Sequence, residues 1–258
     1  MREVWIIAFN VFRQLLRNRI LVVLTLFALS LVGIVVFLGD LGQEAENRLG
    51  QDFGMLAIEM VGFFSVLLCH VVLLFEETEL KTISILLVKP IERWQYLGGK
   101  VLGSVLLMLM NQFGMIVLLV GLSYLFHLNL VDSDFLVAAA YLAMGGVVLS
   151  TVAALFSVLA SSVPAAAVFT TFVFALGHFT TNLLEWVQRL ESPVLKSFVH
   201  ILYWVLPNFS LFNLKENLGR IGKTLRYYAV FLWPIAYALL YGGIMFALAK
   251  WSYDRKEF

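Results

Sequence analysis

Long apolar runs separated by short polar breaks dominate the chain. A membrane helix needs about 20 apolar residues, because a rise of about 1.5 Å per residue must cover roughly 30 Å of hydrocarbon. Six runs meet that length: 20–38, 53–75, 97–126, 135–160, 165–184 and 227–249. The third is longer than the hydrocarbon requires and is expected to tilt or project. Ser161 or Ser162 can cap the fifth, with Pro164 in its first turn. Pro234 should kink the sixth, which membrane helices tolerate. The pattern predicts an all-α polytopic membrane protein, with one transmembrane domain over residues 1–258 and six transmembrane helices.

Three segments depart from that pattern. Over residues 1–19, Trp5, Ala8, Phe9, Phe12 and Leu16 share one helical face, and Asn10, Arg13, Gln14 and Arg17 share the other. Such a stretch fits an interfacial helix lying in the headgroup plane, the alternative being a plain extension of the first span. Over 76–90, Leu80, Ile83, Leu86 and Leu87 recur at helical spacing. Glu76, Glu77 and Glu79 load the first turns and Lys89 the last, complementing a helix dipole, and Pro90 ends the pattern. This short charged helix either presents its apolar stripe to a partner or only links two spans. The 185–226 loop holds Trp186, Phe198, Tyr203, Trp204 and "LPNFSLFNL", an aromatic density that predicts short helices at the membrane interface before the last span.

Composition settles the class. The chain has 258 residues, 61% hydrophobic and 14% charged, with a mean hydropathy of +0.91. A soluble domain carries roughly 45–50% apolar and about 25% charged residues. The net charge of +1 gives no global pull toward nucleic acid. Cys69 is the single cysteine, so an internal disulfide is excluded. No cleavable signal peptide is expected, because the amphipathic start lacks an apolar core. Lys and Arg gather on one predicted side: Arg2, Arg13, Arg17 and Arg19, then Lys81, Lys89, Arg93 and Lys100, then Lys250, Arg255 and Lys256. The positive-inside rule makes that side, with both termini and the 76–90 helix, cytoplasmic.

Glu76-Glu77, Thr78, Leu86-Leu87, Pro90, Arg93 and Lys100-Val101-Leu102-Gly103 resemble the acidic–Thr–Leu-Leu–Pro–Arg–Lys-Leu-Gly run of ABC-2 type transporter permeases. The family often has a basic residue and a Gly around the positions of Glu77 to Leu80, and Gly is missing here. The "LPNFSLFNL" stretch is similar to the branch containing the nitrous oxide reductase copper-maturation permeases. The resemblance implies an N-terminal elbow helix, a coupling helix at 76–90 and a helical outer segment before the last span. It further implies a non-catalytic permease that binds no cofactor of its own, most often an exporter. A separate ATPase subunit, in two copies, would carry ATP and Mg2+ and dock on Glu76, Glu77, Thr78, Leu80, Ile83, Leu86, Leu87, Pro90 and Arg93. A second permease subunit would complete a homodimer in the bacterial cytoplasmic membrane, in contact with lipid and with room for an extracytoplasmic partner.

Two strings imitate catalytic motifs. "NLGRIGKT" (217–224) ends like a phosphate-binding loop, but Asn217 stands in place of the first Gly and no buried strand precedes it. Glu76-Glu77 with Lys81, and His178 spaced four residues from both Phe174 and Asn182, resemble the signatures of intramembrane CAAX-type metalloproteases. That is the alternative function, although Lys replaces the expected Arg and one histidine would serve two motifs. Polar groups inside spans are costly and usually face protein or a cavity. Glu59, Asn111, Gln112 and His178 are therefore candidates for a substrate path, or else hydrogen bonds between helices. Cys69-His70 lacks a third metal ligand nearby, and Gly145-Gly146 and Gly242-Gly243 predict close helix packing.

Overall fold

The computed structural model describes residues 2–39, 46–71, 92–125, 131–180, 187, 192–213 and 227–255. Among them the apolar runs form helices α1 (Arg2–Leu16), α2 (Arg19–Gly39), α3 (Glu46–Ser65), α4 (Arg93–Leu125), α5 (Ser133–Leu159), α6 (Val163–His178), α7 (Pro193–Val205) and α8 (Tyr227–Asp254). A π-helical turn, Val66–Val71, continues α3, and a 3-10 turn, Phe209–Phe212, follows α7. This is an all-α polytopic membrane protein.

Four of these helices are long and apolar enough to cross a membrane, at Gly50–Leu68, Arg93–Leu125, Ser133–Leu159 and Leu232–Asp254. A fifth crossing arises if α1 and α2, bent by 67° at their junction, count as one. The expected first span falls in that bent pair. The expected fifth span is described as far as Thr180, and its helix α6 has 16 residues. At about 1.5 Å per residue that is about 24 Å, shorter than the hydrocarbon core. The third run is long as expected, with 33 residues in α4.

Local chemistry sets several helix ends. Ser162 has extended backbone and its Oγ accepts from the Ala165 N–H at 3.4 Å, with Pro164 in the first turn. Asp132 does the same for α5, its Oδ1 accepting from the Phe135 N–H at 2.7 Å. At the start of α4, the Glu92 N–H donates to Gln95 Oε1 at 3.4 Å. Pro234 lies inside α8 without ending it.

The core is the seam where α3, α4, α5 and α6 meet, filled by Met55, Ile58, Met108, Met115, Phe135, Tyr141 and Phe212 among others. α8 packs chiefly on α5, and α2 on α3. α1 packs chiefly on α4. Its buried stripe is Val4, Ala8, Val11 and Leu15, set against Gly99 and Gly103. A Cβ on Gly103 would stand 2.6 Å from the Ala8 carbonyl oxygen, so only glycine lets the helices approach this closely. Trp5, Phe9 and Leu16, expected on the membrane face, are exposed. Ala8, expected with them, is turned into the protein because α4 offers a glycine groove. Arg93 Nη1 donates to the Asp254 carbonyl at 3.1 Å. That bond and the α1 contact bring α1, the start of α4 and the end of α8 to one end of the bundle.

Candidate functional site

The residues expected to face a path divide in two. Glu59 sits at the middle of the Gly50–Leu68 span. His178 ends α6, and Gln112 is, with Lys100 and Ser104, one of the polar residues of α4 turned inward. The side chains of Glu59, His178 and Gln112 converge, with Glu59 and Gln112 lining one cleft together with Gly62, Phe63, Leu142, Gly145, Gly146, Leu149, Phe174, Phe209 and Phe212. Asn111, next along α4, points elsewhere. Its Nδ2 donates to Ser65 Oγ at 2.9 Å, a hydrogen bond between helices.

Glu59 and His178 form the polar heart of the site, Nε2 lying 2.5 Å from Oε1. Their side chains are 14% and 25% exposed, so both are largely withdrawn into the protein. The other ring nitrogen, Nδ1, lies 2.9 Å from the Phe174 carbonyl oxygen. A carbonyl only accepts, so Nδ1 carries a proton and donates it. The bond between Nε2 and Oε1 then requires one further proton, shared by imidazole and carboxyl. Pairing of this kind offsets the cost of placing a carboxylate inside a span.

Aromatic rings enclose the pair. Phe174 stacks on Phe63 at 4.3 Å and meets the His178 ring edge-on at 4.6 Å. Phe209 stacks on the imidazole at 5.5 Å. Gly177 makes that possible, since a Cβ there would lie 2.4 Å from Phe209 Cδ2 and 2.7 Å from the Pro207 carbonyl oxygen. The 206–213 segment is fastened further by Ser210 Oγ donating to the His178 carbonyl at 3.2 Å, and by Thr180 Oγ1 donating to Asn208 Oδ1 at 2.9 Å. From α8, Tyr237 Oη accepts from the Asn208 N–H and the Tyr241 hydroxyl donates to the Val205 carbonyl, each at 2.8 Å.

Gln112 occupies a slot made by glycines. A Cβ on Gly62 of α3 would lie 2.2 Å from its Nε2, and Gly146 of α5 stands on the other side. The residue is 3% exposed and its Oε1 has no hydrogen-bond partner. An acceptor buried without a donor costs about 1–3 kcal/mol. The cleft beside it leaves room of about 20 Å³ for solvent, enough for about one water molecule.

Of the expected coupling residues, Glu76, Glu77, Thr78, Leu80, Ile83, Leu86, Leu87 and Pro90 lie outside the described residues. Arg93 is the first residue of α4 and binds the end of α8. On either side of it, Trp94 Nε1 and Glu92 Oε2 are hydrogen-bonded. Lys100, from the same motif, is 2% exposed with its Nζ 4.9 Å from the Tyr96 ring centroid. The carboxylate pair of the protease-like signature and the 217–224 string lie outside the described residues, as do the side chains of Cys69 and His70. Among the described residues no three His, Cys, Asp or Glu side chains come together as a metal site. The glycine slots at Gly62, Gly99, Gly103 and Gly177 escaped the sequence reading. Gly99 and Gly103 carried a signal in their four-residue spacing.

Compared with curated proteins, the chain matches none. The family model described as ABC-2 family transporter protein matches residues 50–251, which takes in α3 to α8, the cleft and the 76–90 segment. The match is to the family as a whole and distinguishes no branch. A multi-pass helical bundle with this match over most of its length belongs to the ABC-2 transporter family.

Proposed function

We propose that the chain is the non-catalytic membrane subunit of an ATP-driven exporter of the bacterial cytoplasmic membrane, worked by a separate ATPase subunit that holds ATP and Mg2+. Two copies of each chain form the transporter, and both termini face the cytoplasm. The observation that carries this reading is the family match over residues 50–251. The placement of the 76–90 segment supports it. That segment joins the Val66–Val71 turn to the start of α4, and the two helices it joins hold Glu59 and Gln112. A partner moving 76–90 would therefore act on both walls of the cleft. π-helical turns such as Val66–Val71 occur often at functional sites. Movement of α3 against α6 bares Glu59, Gln112 and His178 to the transported species.

The test is reconstitution. Purified alone in nanodiscs, the chain neither hydrolyses ATP nor cleaves peptides, and adding the cognate ATPase gives hydrolysis that depends on both chains. Removing an anchor side chain from an interface commonly costs about 2 kcal/mol or more, about thirtyfold in affinity. The double change Ile83→Ala with Leu87→Ala should therefore release the ATPase while leaving membrane insertion intact. Unchanged ATPase binding by that variant refutes the coupling helix, and peptidase activity abolished by Glu76→Ala refutes the transporter assignment.

A further inference from the structure

We propose that the cleft is a binding site for one water molecule and one exchangeable proton, and that its proton count decides whether the 206–213 segment is held against the helices. This goes beyond the transporter reading and needs no ATPase. The water follows from the lining. Gln112 Oε1 is buried without a partner, and the Glu59 carboxyl opens onto the same space. Both accept hydrogen bonds, and the remaining walls are Phe, Leu and Gly. The space of about 20 Å³ takes one water-sized donor. Water meets that description, and so does ammonium.

The proton follows from the pair. With Nδ1 donating to the Phe174 carbonyl, the contact between Nε2 and Oε1 holds only when one proton lies between them. A second proton leaves a neutral carboxyl beside an imidazolium and gives the pair a net positive charge. Loss of the proton sets a lone pair against a carboxylate, with one uncompensated negative charge. Either charge sits among Phe63, Phe174 and Phe209, where it is costly. The bond therefore loosens on both sides of an intermediate pH. His178 is also where the 206–213 segment rests, through the Phe209 stack and the Ser210 bond to its carbonyl, so loosening the ring loosens the segment.

The surrounding elements carry further titratable groups, among them Asp52 on α3, Arg93, Tyr96, Lys100 and Tyr124 on α4, Asp134 on α5, and Lys250, Tyr253 and Asp254 on α8, none of which lines the cleft. α5 carries Tyr141, and α8 carries Tyr237 and Tyr241, whose hydroxyls bond Asn208 and Val205. The π-helical turn packed on α6 carries Cys69 and His70, with side chains outside the described residues. The cleft-lining residues of α4 and of the 3-10 turn, Gln112, Phe209 and Phe212, carry none.

The experiment is hydrogen–deuterium exchange of peptides covering 206–213 in the full chain in nanodiscs, corrected for intrinsic rates, between about pH 4 and pH 10. Protection should peak at an intermediate pH and fall on each limb by up to about tenfold per pH unit, the slope of a one-proton linkage. Glu59→Gln keeps a hydrogen bond to Nε2 but has no carboxyl proton to lose, so its alkaline limb disappears. His178→Gln has no imidazolium to form, so its acid limb disappears. Protection of the wild-type chain that does not change with pH overturns the proposal, as do two limbs persisting in both variants. For the water, an infrared band of a bound O–H should shift in H2(18)O and vanish in Gln112→Met. Limbs that move when sodium is exchanged for ammonium overturn water as the occupant.

Discussion

Replacing Gly177 by Ala isolates the contact between α6 and the 206–213 segment from the chemistry of His178. The added Cβ would lie 2.4 Å from Phe209 Cδ2, 2.8 Å from Phe209 Cε2 and 2.7 Å from the Pro207 carbonyl oxygen. Side chains at the end of a flexible arm can swing aside, but the Pro207 oxygen is backbone. Restoring ordinary contact with that oxygen, from 2.7 Å to about 3.4 Å, needs a shift of about 0.7 Å of the whole segment. A shift of that size stretches the Ser210 bond to His178, now 3.2 Å, beyond hydrogen-bonding range. It also strains the bond from Thr180 to Asn208. Overpacking costs typically about 1–3 kcal/mol, and each lost hydrogen bond about 0.5–1.5 kcal/mol. A loss of about 2–4 kcal/mol in the local hold on 206–213 is therefore expected. Gly114→Ala is the control, because nothing lies within 4 Å of a Cβ there. Hydrogen exchange of the 206–213 peptides at one pH is the assay. The variant should exchange at least about thirtyfold faster than the control, which should match the parent chain. Equal protection of Gly177→Ala and Gly114→Ala would refute the claim that Gly177 seats the segment.

Gly103→Val puts a branched side chain where a Cβ already lies 2.6 Å from the Ala8 carbonyl. α1 should lift from α4 at a cost of about 1–3 kcal/mol, and a cysteine at Val11, in a Cys69→Ser background, should become reactive to a thiol reagent. Asp132→Ala removes the acceptor of the Phe135 N–H at the start of α5. It should cost about 1 kcal/mol and speed exchange in the first turn of α5, with the Ser162 end unchanged as the internal reference.

The helices were legible because their signals are local. Twenty-odd apolar residues in a row read as a span whatever surrounds them, and the Ser162–Pro164 start of α6 follows from capping chemistry alone. The end of α6 was not legible, since the apolar run continues past His178 to 184. What lies against that end, Phe209 with the Pro207 carbonyl, comes from a segment some 30 residues later. The site divides in the same way. Glu59, Gln112 and His178 stood out as polar residues in apolar runs, but Glu59 and His178 are 119 positions apart and nothing in either run names the other. The four-residue spacing of Phe174 and His178 is visible in the sequence, where it also resembles a protease signature. In the fold it is one helical turn, which brings Nδ1 onto the Phe174 carbonyl. Gly145-Gly146 was read as a packing pair, and those residues face Phe212 and Met108. Gly243, read the same way, has nothing within 4 Å.

The connectivity of these contacts constrains how movement can travel. Glu59 lies 12 residues before Val71, so α3 and its π-helical turn extend about 18 Å from the cleft toward the 76–90 segment. At the other side, His178 joins Glu59 to the segment that holds Phe209 and Phe212. Under the proposed coupling, a partner at 76–90 would reach the segment at 206–213 through α3, the Glu59–His178 bond and the Phe63–Phe174 stack. Rigid helices transmit displacement, and a bond with two discrete conditions converts displacement into a switch. If α3 moved with the bond intact, α6 and the 206–213 segment would follow as one body. With the bond open, α3 would slide past them and the cleft would widen between Gly62 and Gly146, where no side chain larger than the Gln112 amide bridges the helices. The polar pair is costly to keep inside a span, and on this reading it sits where the two motions would diverge.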